Sequence, residues 1–400
     1  MRNLSLFVRL ALWLSAAVVV TGSPKPPVSK ALFDVPRGKT AQVSIIDSTM
    51  RFDGIPVSFF MGPPLPGFDM MGALTTWCFL VESSKGEKVL FDIGVPKDFT
   101  TYSPFVQEQI RNNTQSGATL TVEKDVADVL KENGVKLRDI SSVIWSHFHF
   151  DHIGDIRTFP NKTDLVVGPG FKAAFFPGYP TIPNSPVQEY YFTGRNVREI
   201  DFTKQHPPLK AGQFSAFDFF GDGSFYLLDT PGHATGHLGG LARTSTNPDT
   251  FIFMGGDLCH HGSEIRPSQF LPIPAHVSFP AAVSEAYHRS RVTTCPGDTF
   301  AQLNTQRGRR VDQPFFDPLL GENITAMLDT IKGAQAADAQ DDVFFIFAHD
   351  MGIDGVVDVF PKKANQWKKK GWGEKSLWNF LAELVPALGP AQAKTCKARY

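Results

Sequence analysis

Three histidines and two aspartates lie within the ten residues SHFHFDHIGD, although the chain of 400 residues contains only 11 histidines. The preceding run SSVIWS is typical of a buried strand that leads directly into this group. Alternate residues at a strand end point the same way, so His147 and His149 can reach one metal ion together. Asp151 and His152 follow where the chain must turn, and they can face a second ion. Imidazole and carboxylate are ligands that zinc and similar divalent metals prefer.

Four further polar residues each follow an apolar run that predicts a strand. They are Asp92 in VLFDIG, His233 in LLDTPGH, Asp257 in FIFMGGD and His349 in FFIFAHD. Charged or imidazole groups at the ends of hydrophobic strands are costly unless they are solvated or coordinated. We therefore expect a sheet to present them together at one rim.

The motifs FDIG, HFHFDH, TPGHATGH, GGD and AHD occur in this order along the chain. In this order and combination the chain, from about residue 41 to 350, resembles the metallo-β-lactamase superfamily. The resemblance implies an α/β fold, the αβ/βα four-layer sandwich, in which two mixed β-sheets are flanked by helices. It also implies a dinuclear metal site at the rim between the two sheets.

The resemblance further implies seven ligands for two divalent metal ions, expected to be Zn²⁺. The first ion would be held by His147, His149 and His233. The second would be held by Asp151, His152 and His349, and Asp257 would bridge the two ions. Asp92 would not touch metal but would orient a ligand histidine through a hydrogen bond.

SHFHFDHIGD together with TPGHATGH is most similar to the branch of lactonases that open N-acyl homoserine lactones. In that branch a tyrosine lies three positions after the bridging aspartate, near the substrate carbonyl. Here that position holds His260. An imidazole can also donate a hydrogen bond to a developing oxyanion. The departure leaves the hydrolytic chemistry in place but puts the homoserine lactone substrate in doubt.

We expect a dinuclear metal-dependent hydrolase that opens a lactone or similar cyclic ester by attack of a metal-bridging hydroxide. Asp151 and His260 are the candidate catalytic residues, and the substrate is expected to be a small, apolar carbonyl compound. A lactamase or thioesterase would share the same site. A mononuclear iron dioxygenase on this fold and a non-catalytic binding protein are alternatives that the complete ligand set disfavours.

The N-terminus predicts a targeting segment. Arg2 and Arg9 precede LALWLSAAVVV, which is short of the ~20 residues that span a membrane. We predict a signal peptide or anchor at 1–22, a linker at 23–40, the hydrolase domain at 41–390 and a tail at 391–400. Secretion or residence in the secretory pathway follows, with membrane contact only if the leader stays uncleaved. Three sequons, at Asn112, Asn161 and Asn323, predict a glycoprotein.

Composition excludes one class of partner. The formal net charge of −1 provides no electrostatic reason to expect nucleic acid. The four cysteines form no CxxC pair; Cys295 and Cys396 could form a disulfide, whereas Cys78 and Cys259 are expected to be buried thiols.

Two segments have two interpretations each. A long insertion at about 261–316 is either an active-site wall or an extra packing layer, and the early stretch SFFMGPPLPGFDMMG either lines an apolar groove or covers the core. Among the other histidines, His237 is expected to form structural hydrogen bonds. The rest are expected on the surface or in loops: His206, His261, His276 and His288.

Local patterns predict several elements. TVEKDVADVLKENG predicts one amphipathic helix with Val122, Val126, Val129 and Leu130 on its apolar face. FDFFGDGSFYLL predicts a hairpin that turns at 221–223. A helix around 322–332 and a last helix containing SLWNFLAELV complete the set.

Overall fold

The computed structural model describes residues 33–205, 207–280 and 292–398. The predicted leader, the first part of the predicted linker, His206 and His288 lie outside these residues. No helix among the described residues has both the length and the apolarity to cross a membrane.

The strands are numbered along the chain. They are β1 (Gln42–Asp47), β2 (Met50–Asp53), β3 (Met61–Gly62), β4 (Trp77–Glu82), β5 (Lys88–Phe91), β6 (Thr119–Val122), β7 (Ile140–Ile144), β8 (Asp164–Val167), β9 (Val197–Glu199), β10 (Lys210–Ala211), β11 (Phe214–Asp218), β12 (Phe225–Asp229), β13 (Leu238–Ser245), β14 (Thr250–Met254), β15 (His276–Ser278), β16 (Val292–Pro296), β17 (Asp317–Pro318), β18 (Val343–Ile346) and β19 (Lys397–Ala398).

The helices are numbered in the same way. They are α1 (Val57–Phe60), α2 (Pro104–Gln115), α3 (Val126–Glu132), α4 (Phe150–Ile153), α5 (Phe171–Phe175), α6 (Gly297–Gln306), α7 (Ile324–Asp338), α8 (Trp367–Lys370), α9 (Trp372–Ser376) and α10 (Pro390–Ala393).

Two six-stranded mixed sheets form the centre of the fold. One has the strand order β1-β4-β5-β7-β8-β9 and the other β10-β11-β12-β13-β14-β18. Strands β5, β7, β8 and β9 run parallel, as do β14 and β18. The carboxyl ends of parallel strands meet at one edge, so each sheet presents several strand ends at the same rim.

Three apolar layers hold the sheets and helices together. Side chains such as Phe91, Ile144 and Ile252 fill the space between the two sheets. On the outer face of the first sheet, α2 and α3 pack onto the core, and on the outer face of the second sheet α7 does the same through Met327 and Ile331. This helix–sheet–sheet–helix order confirms the predicted four-layer sandwich.

Two helix predictions were wrong in part. The first residues of TVEKDVADVLKENG form β6, where Val122 pairs with Met50, and the helix α3 begins only at Val126. The segment SLWNFLAELV forms two 3₁₀ turns after α9, at Asn379–Ala382 and Val385–Ala387, instead of one helix. Most of its side chains are buried, so tertiary packing and not an amphipathic period decides its path.

Two other predictions are confirmed. β11 and β12 form the predicted hairpin, with residues 221–223 in the turn between them. The predicted helix around 322–332 is α7, which extends to Asp338 and is capped at its start by the Asn323 side chain, which accepts a hydrogen bond from the Ala326 N–H.

The inserted segment carries its own small sheet. β15, β16 and β19 form three antiparallel strands, and the disulfide between Cys295 and Cys396 joins β16 to the segment before β19. The predicted pairing is confirmed, as are the two buried free thiols, Cys78 and Cys259. The C-terminal residues of the described chain are therefore tied covalently to the insertion.

Replacement of Cys396 by serine should lower stability markedly. The disulfide joins residues 101 positions apart, and cross-links that close loops of such length stabilise by roughly 2–5 kcal/mol in most proteins. Urea unfolding of oxidised wild type, reduced wild type and the variant measures this. Reduced wild type should match the variant; equal midpoints for all three would show that the bond adds no stability.

Candidate metal centre

The predicted site residues meet at one rim, where strands of both sheets end. Asp92 follows β5, and the run His147–His152 follows β7 and includes the short helix α4. From the second sheet, the chain reaches His233 after β12, Asp257 after β14 and His349 after β18. Residues separated by as many as 257 positions (349 − 92) thus come together because parallel strands end side by side.

Three imidazoles form the first group. His147 Nε2 lies 2.9 Å from His149 Nδ1 and 3.2 Å from His233 Nε2, and the last two nitrogens lie 2.9 Å apart. Three nitrogens that converge on one point are the arrangement expected around a cation.

The second group combines two imidazoles with a carboxylate. Asp151 Oδ2 lies 3.4 Å from His349 Nε2 and 3.7 Å from His152 Nε2. The hydroxyl of Thr76 also faces this oxygen, at 3.4 Å.

Asp257 lies between the two groups. Its Oδ2 is 3.7 Å from His147 Nε2 and 3.6 Å from His233 Nε2 on one side, and 3.3 Å from His349 Nε2 on the other. Its Oδ1 is 3.2 Å from His152 Nε2. The position of this carboxylate matches that of a ligand shared by two ions.

The residues present fit a pair of divalent cations. In each of the two groups the candidate ligand atoms lie within 4.8 Å of one another. Among the described residues, His152 Nε2 and Asp257 Oδ1 are buried without a hydrogen-bond partner. Buried polar atoms without partners are costly, and a bound cation would remove this cost. The donor set of imidazoles and carboxylates is one that suits divalent metal ions.

Burial and neighbouring charges shift the pKa values of these histidines in opposite directions. Burial lowers the pKa of His149 to about 4, and burial and the adjacent imidazoles hold the pKa of His147 and His233 well below the usual value. These three are therefore neutral at pH 7, which is the form that binds metal. For His349, burial opposes the charged form, but Asp257 outweighs it and raises the pKa to about 9.

Hydrogen bonds on the far side of the rings fix their orientation. Asp92 Oδ2 accepts from His152 Nδ1 at 2.8 Å, as the resemblance to the superfamily implied. Asp92 has a left-handed backbone with φ 59°, which is strained for a residue with a side chain. Its other oxygen accepts the backbone N–H of Ser146 at 2.6 Å, so the same carboxylate also anchors the start of the histidine run.

Three of these orienting contacts were missed in the sequence. His147 Nδ1 donates to Ser146 Oγ at 3.0 Å. His349 Nδ1 donates to the backbone carbonyl of Thr75 at 2.7 Å. His233 Nδ1 donates to the backbone carbonyl of Leu320 at 3.4 Å. Ser146 directly precedes the motif and could have been considered. A backbone carbonyl has no signature in the residue type.

His237 has the structural role that was predicted. Its Nδ1 donates to the Thr230 carbonyl at 2.8 Å, and its Nε2 accepts the backbone N–H of Asp257 at 3.0 Å. Burial lowers its pKa to about 4, so the neutral ring is available for this role. Gly256 has φ +54°, and a Cβ there would lie 2.8 Å from His237 Nε2, so the approach to Asp257 requires glycine.

His261 lies in a loop, at the bend before the 3₁₀ turn Gly262–Glu264, as predicted, but it is not at the surface. The residue is only 4% exposed, and its Nε2 lies 2.9 Å from Glu383 Oε1, a carboxylate 122 positions away. A buried imidazole is tolerated here because a carboxylate from a distant segment pairs with it. His276 is exposed in β15, as expected.

His260 lies beside the two groups without belonging to either. Its Nε2 is 3.5 Å from Asp257 Oδ2, and its ring packs against Phe60, with centroids 4.9 Å apart. The side chain is buried, and neither of its nitrogens has a hydrogen-bond partner among the described residues. The structure therefore places this candidate catalytic residue beside the two ligand groups.

Apolar residues of three segments lie close to the site. The short strands β3 and β17 pair with each other, and the backbone N–H of Leu319 donates to the Phe60 carbonyl at 2.7 Å. Phe59 and Leu319 are large and more than half exposed, at 51% and 56%. On the other side Phe148 packs on the ring of His149. The early Phe/Met/Pro stretch and the segment just after the insertion thus reach the centre through Phe60 and Leu320, and parts of the stretch and of the insertion also pack in the core.

Comparison with known proteins agrees with this geometry. The family model described as "Metallo-beta-lactamase superfamily" matches residues 71–241. Gamma-lactamase FDB1 of Fusarium pseudograminearum (strain CS3096) is 41% identical over 361 residues, which cover 87% of this chain and 83% of that protein. Metallo-hydrolase mfmC of Annulohypoxylon moriforme is 40% identical over 372 residues, or 92% of this chain and 93% of that protein.

A solved structure shows the same fold. The "Quorum-Quenching N-Acyl Homoserine Lactone Lactonase" superposes with a TM-score of 0.51 at 18% identity, over 82% of this chain and 100% of that one. The two relatives described above, at higher identity, are named as a lactamase and a metallo-hydrolase. The shared motifs, the four-layer fold and these relatives together establish that the chain is a hydrolase-type member of the metallo-β-lactamase superfamily.

Proposed function

We propose that this protein hydrolyses a small cyclic ester, a lactone, with two divalent cations held by seven side chains. The observation that carries the proposal is the pair of four-residue groups, His147, His149, His233 and Asp257, and Asp151, His152, Asp257 and His349, which share Asp257. When bound, two such cations, expected to be Zn²⁺, supply Lewis acidity for the carbonyl oxygen and make water an effective nucleophile near neutral pH.

The chain itself must move one proton from the attacking water to the departing oxygen. Asp151 and His260 are the two candidates. Asp151 Oδ2 already faces Thr76 and the histidines of the second group. His260 has both nitrogens without partners among the described residues. We therefore assign the proton carrier to His260 Nε2 and the ligand role to Asp151.

The apolar border supports an apolar substituent on the substrate. Phe59 and Leu319 are exposed although they are large and hydrophobic. Each adjoins one of the two paired strands, and their chain neighbours Phe60 and Leu320 contact His260 and His233. An uncharged chain or ring placed there would cover them, and this burial is favourable by about 25 cal/mol per Å².

A cyclic amide is the second candidate substrate. The relative that supports it is the 41% identical protein named Gamma-lactamase FDB1. The same donor set serves both reactions, which differ in whether oxygen or nitrogen leaves. A mononuclear iron dioxygenase is disfavoured because the second group of ligands is complete.

Metal analysis combined with a substrate panel tests the proposal. The protein should contain two divalent ions per chain, lose activity with a chelator and recover it with added Zn²⁺. Matched γ-lactones, γ-lactams and linear thioesters that carry the same apolar substituent separate the substrate classes. We expect the lactone to have the highest kcat/KM. One iron per chain with oxygen consumption would overturn the hydrolytic proposal, and turnover of the lactam alone would replace the lactone by the amide.

Leu319→Ala should weaken binding selectively for substrates with long apolar substituents. Loss of contact with this side chain is worth about 1–2 kcal/mol, or about 5- to 30-fold in KM, with kcat unchanged. KM measured across a series of substituent lengths checks this. Val359→Ala is the matched control. Val359 is also exposed, but it forms a backbone β-bridge with Ile45 in β1 and belongs to neither of the paired segments. Equal KM changes at every length would contradict an apolar binding wall.

We also propose that the protein passes through the secretory pathway. The disulfide and the exposed sequon residues Asn112, Asn161 and Asn323 support this, since disulfides persist in oxidising compartments. Size reduction by an N-glycosidase after expression in a eukaryotic host tests it.

A further inference from the structure

A buried carboxylate, Glu264, lies behind His260 and has no role in the chemistry described so far. It belongs to the 3₁₀ turn Gly262–Glu264, directly after the Asp257 loop. Its Oε2 accepts the backbone N–H groups of His260 at 2.5 Å and His261 at 3.0 Å. Its Oε1 is buried without a hydrogen-bond partner among the described residues.

The same carboxylate faces the ring of His260. Glu264 Oε2 lies 3.8 Å from His260 Nδ1, while His260 Nε2 on the opposite side lies 3.5 Å from Asp257 Oδ2. The first distance is too long for a hydrogen bond, but it places a carboxylate oxygen next to one specific ring nitrogen. Phe60 and His349 pack on the ring, with centroids 4.9 Å and 6.0 Å away. Packing and charge together restrict how the imidazole can be oriented.

Capping the turn does not account for a charged residue here. One oxygen of Glu264 accepts both backbone N–H groups, and the amide oxygen of a glutamine could do the same. Burying a carboxylate is far more costly than burying an amide unless a partner stabilises the charge. The neighbouring His261 is already engaged with Glu383 and Ser263. His260 Nδ1 is therefore the group that can respond to the charge of Glu264.

Four histidines of the centre show the same two-sided arrangement. His147, His152, His233 and His349 each present Nε2 to the centre and face an acceptor with Nδ1. His260 is similar in that Glu264 lies on its Nδ1 side, at 3.8 Å and without a hydrogen bond, although His260 belongs to neither ligand group.

We propose that Glu264 is a positioning residue that keeps the proton of His260 on Nδ1, so that Nε2 is the atom that meets the substrate. This inference rests on the proposed hydrolytic function. As the water oxygen bonds to the carbonyl carbon, Nε2 takes a proton from that water. As the ring C–O bond breaks, the same proton passes to the departing oxygen, and His260 returns to its starting form. Carboxylate, imidazole and substrate then lie in one line, an order known from other hydrolases.

The first test compares Glu264→Gln, His260→Asn and the double variant in the metal-loaded enzyme. His260→Asn should lower kcat by about 10²- to 10⁴-fold, the usual contribution of a general acid–base group. Glu264→Gln should lower kcat by at least about 10-fold, with KM and metal content unchanged. The double variant should be no slower than His260→Asn, because Glu264 acts only through that ring. Multiplicative losses would overturn the proposal.

The second test uses the metal-free protein and needs no activity. Imidazole ¹⁵N chemical shifts distinguish a proton on Nδ1 from one on Nε2. We expect the Nδ1–H form at His260 in the wild type and in Glu264→Asp, and a shift toward the Nε2–H form in Glu264→Gln. Glu383→Gln is the matched control, since it is an equally buried carboxylate that contacts His261. It should leave the His260 signals unchanged.

The outcomes separate this inference from the proposed function. If the metal-loaded wild type hydrolyses none of the lactones, lactams or thioesters, the proposed function fails, whatever the spectra show. If His260 carries its proton on Nε2 in the metal-free wild type, the positioning role of Glu264 fails, even for an active lactonase. The wild-type spectrum decides this point even if Glu264→Gln does not fold.

Discussion

Asp257→Asn should abolish most of the activity and disturb both metal positions at once. The substitution keeps the shape of the side chain but removes its charge, and Asp257 is the one residue that both ligand groups contain. Loss of residues that only support ligands costs about 10- to 100-fold, so loss of a shared ligand should lower kcat/KM by more than about 100-fold. Metal content per chain should fall below that of the wild type in the same preparation.

The control for this substitution is Asp229→Asn. Asp229 ends β12 at the same rim and is partly buried, but it belongs to neither ligand group. It should retain metal content and kcat/KM within a factor of about two. Full metal content and full activity in Asp257→Asn would show that the two groups do not form the metal centre.

Arg266→Met should cause the largest loss of stability. Arg266 Nε and Nη2 each donate to Asp338 at 2.8 Å, and Nη1 donates to the Leu377 carbonyl at 2.9 Å. Both charged side chains are almost completely buried, at 4% and 2% exposed. Removal of one partner of a buried ion pair costs about 3–5 kcal/mol, because the remaining charge loses its partner in a medium of low polarity. Urea unfolding measures this difference.

Two comparisons make this result specific. The double variant Arg266→Met with Asp338→Leu should recover most of the loss, because it leaves no buried charge at the pair. Arg310→Ala, which breaks the exposed pair with Asp312, should change stability by less than about 1 kcal/mol. If Arg266→Met were no more destabilising than Arg310→Ala, the buried pair would not hold the insertion to α7.

The Arg266–Asp338 ion pair also explains how the insertion is held in place beside the centre. Arg266 lies near the start of the inserted segment, Asp338 ends α7, and Leu377 follows α9. The turn with His260, His261 and Glu264 precedes Arg266 directly. The segment after the Asp257 loop is thus fixed by ionic and hydrogen-bonding contacts to two distant parts of the chain. The insertion therefore acts as a packing layer near its start.

The sequence by itself determined the fold class and the group of side chains that meets at the rim. A polar residue directly after an apolar strand can be assigned to an edge of the sandwich. Strand ends lie at those edges, and burying such a residue elsewhere is costly. For this reason HFHFDH, His233, Asp257 and His349 could be assigned to one site without a structure. The role of Asp92 beside a ligand histidine came from the resemblance to the superfamily and agrees with its 2.8 Å contact with His152.

Only the tertiary structure decided which groups form hydrogen bonds or ion pairs with those side chains and their neighbours. His261 is buried because Glu383, 122 positions away, pairs with it, and the Thr75 carbonyl orients His349 from 274 positions away. Glu264 gains its importance from the 3.8 Å approach of its carboxylate to His260. Such contacts depend on how distant segments pack, and a backbone carbonyl or a lone glutamate shows nothing of them in a local sequence pattern. The helix predicted from local periodicity at SLWNFLAELV was also wrong. Most sides of this segment are buried, and it forms short turns instead of one helix.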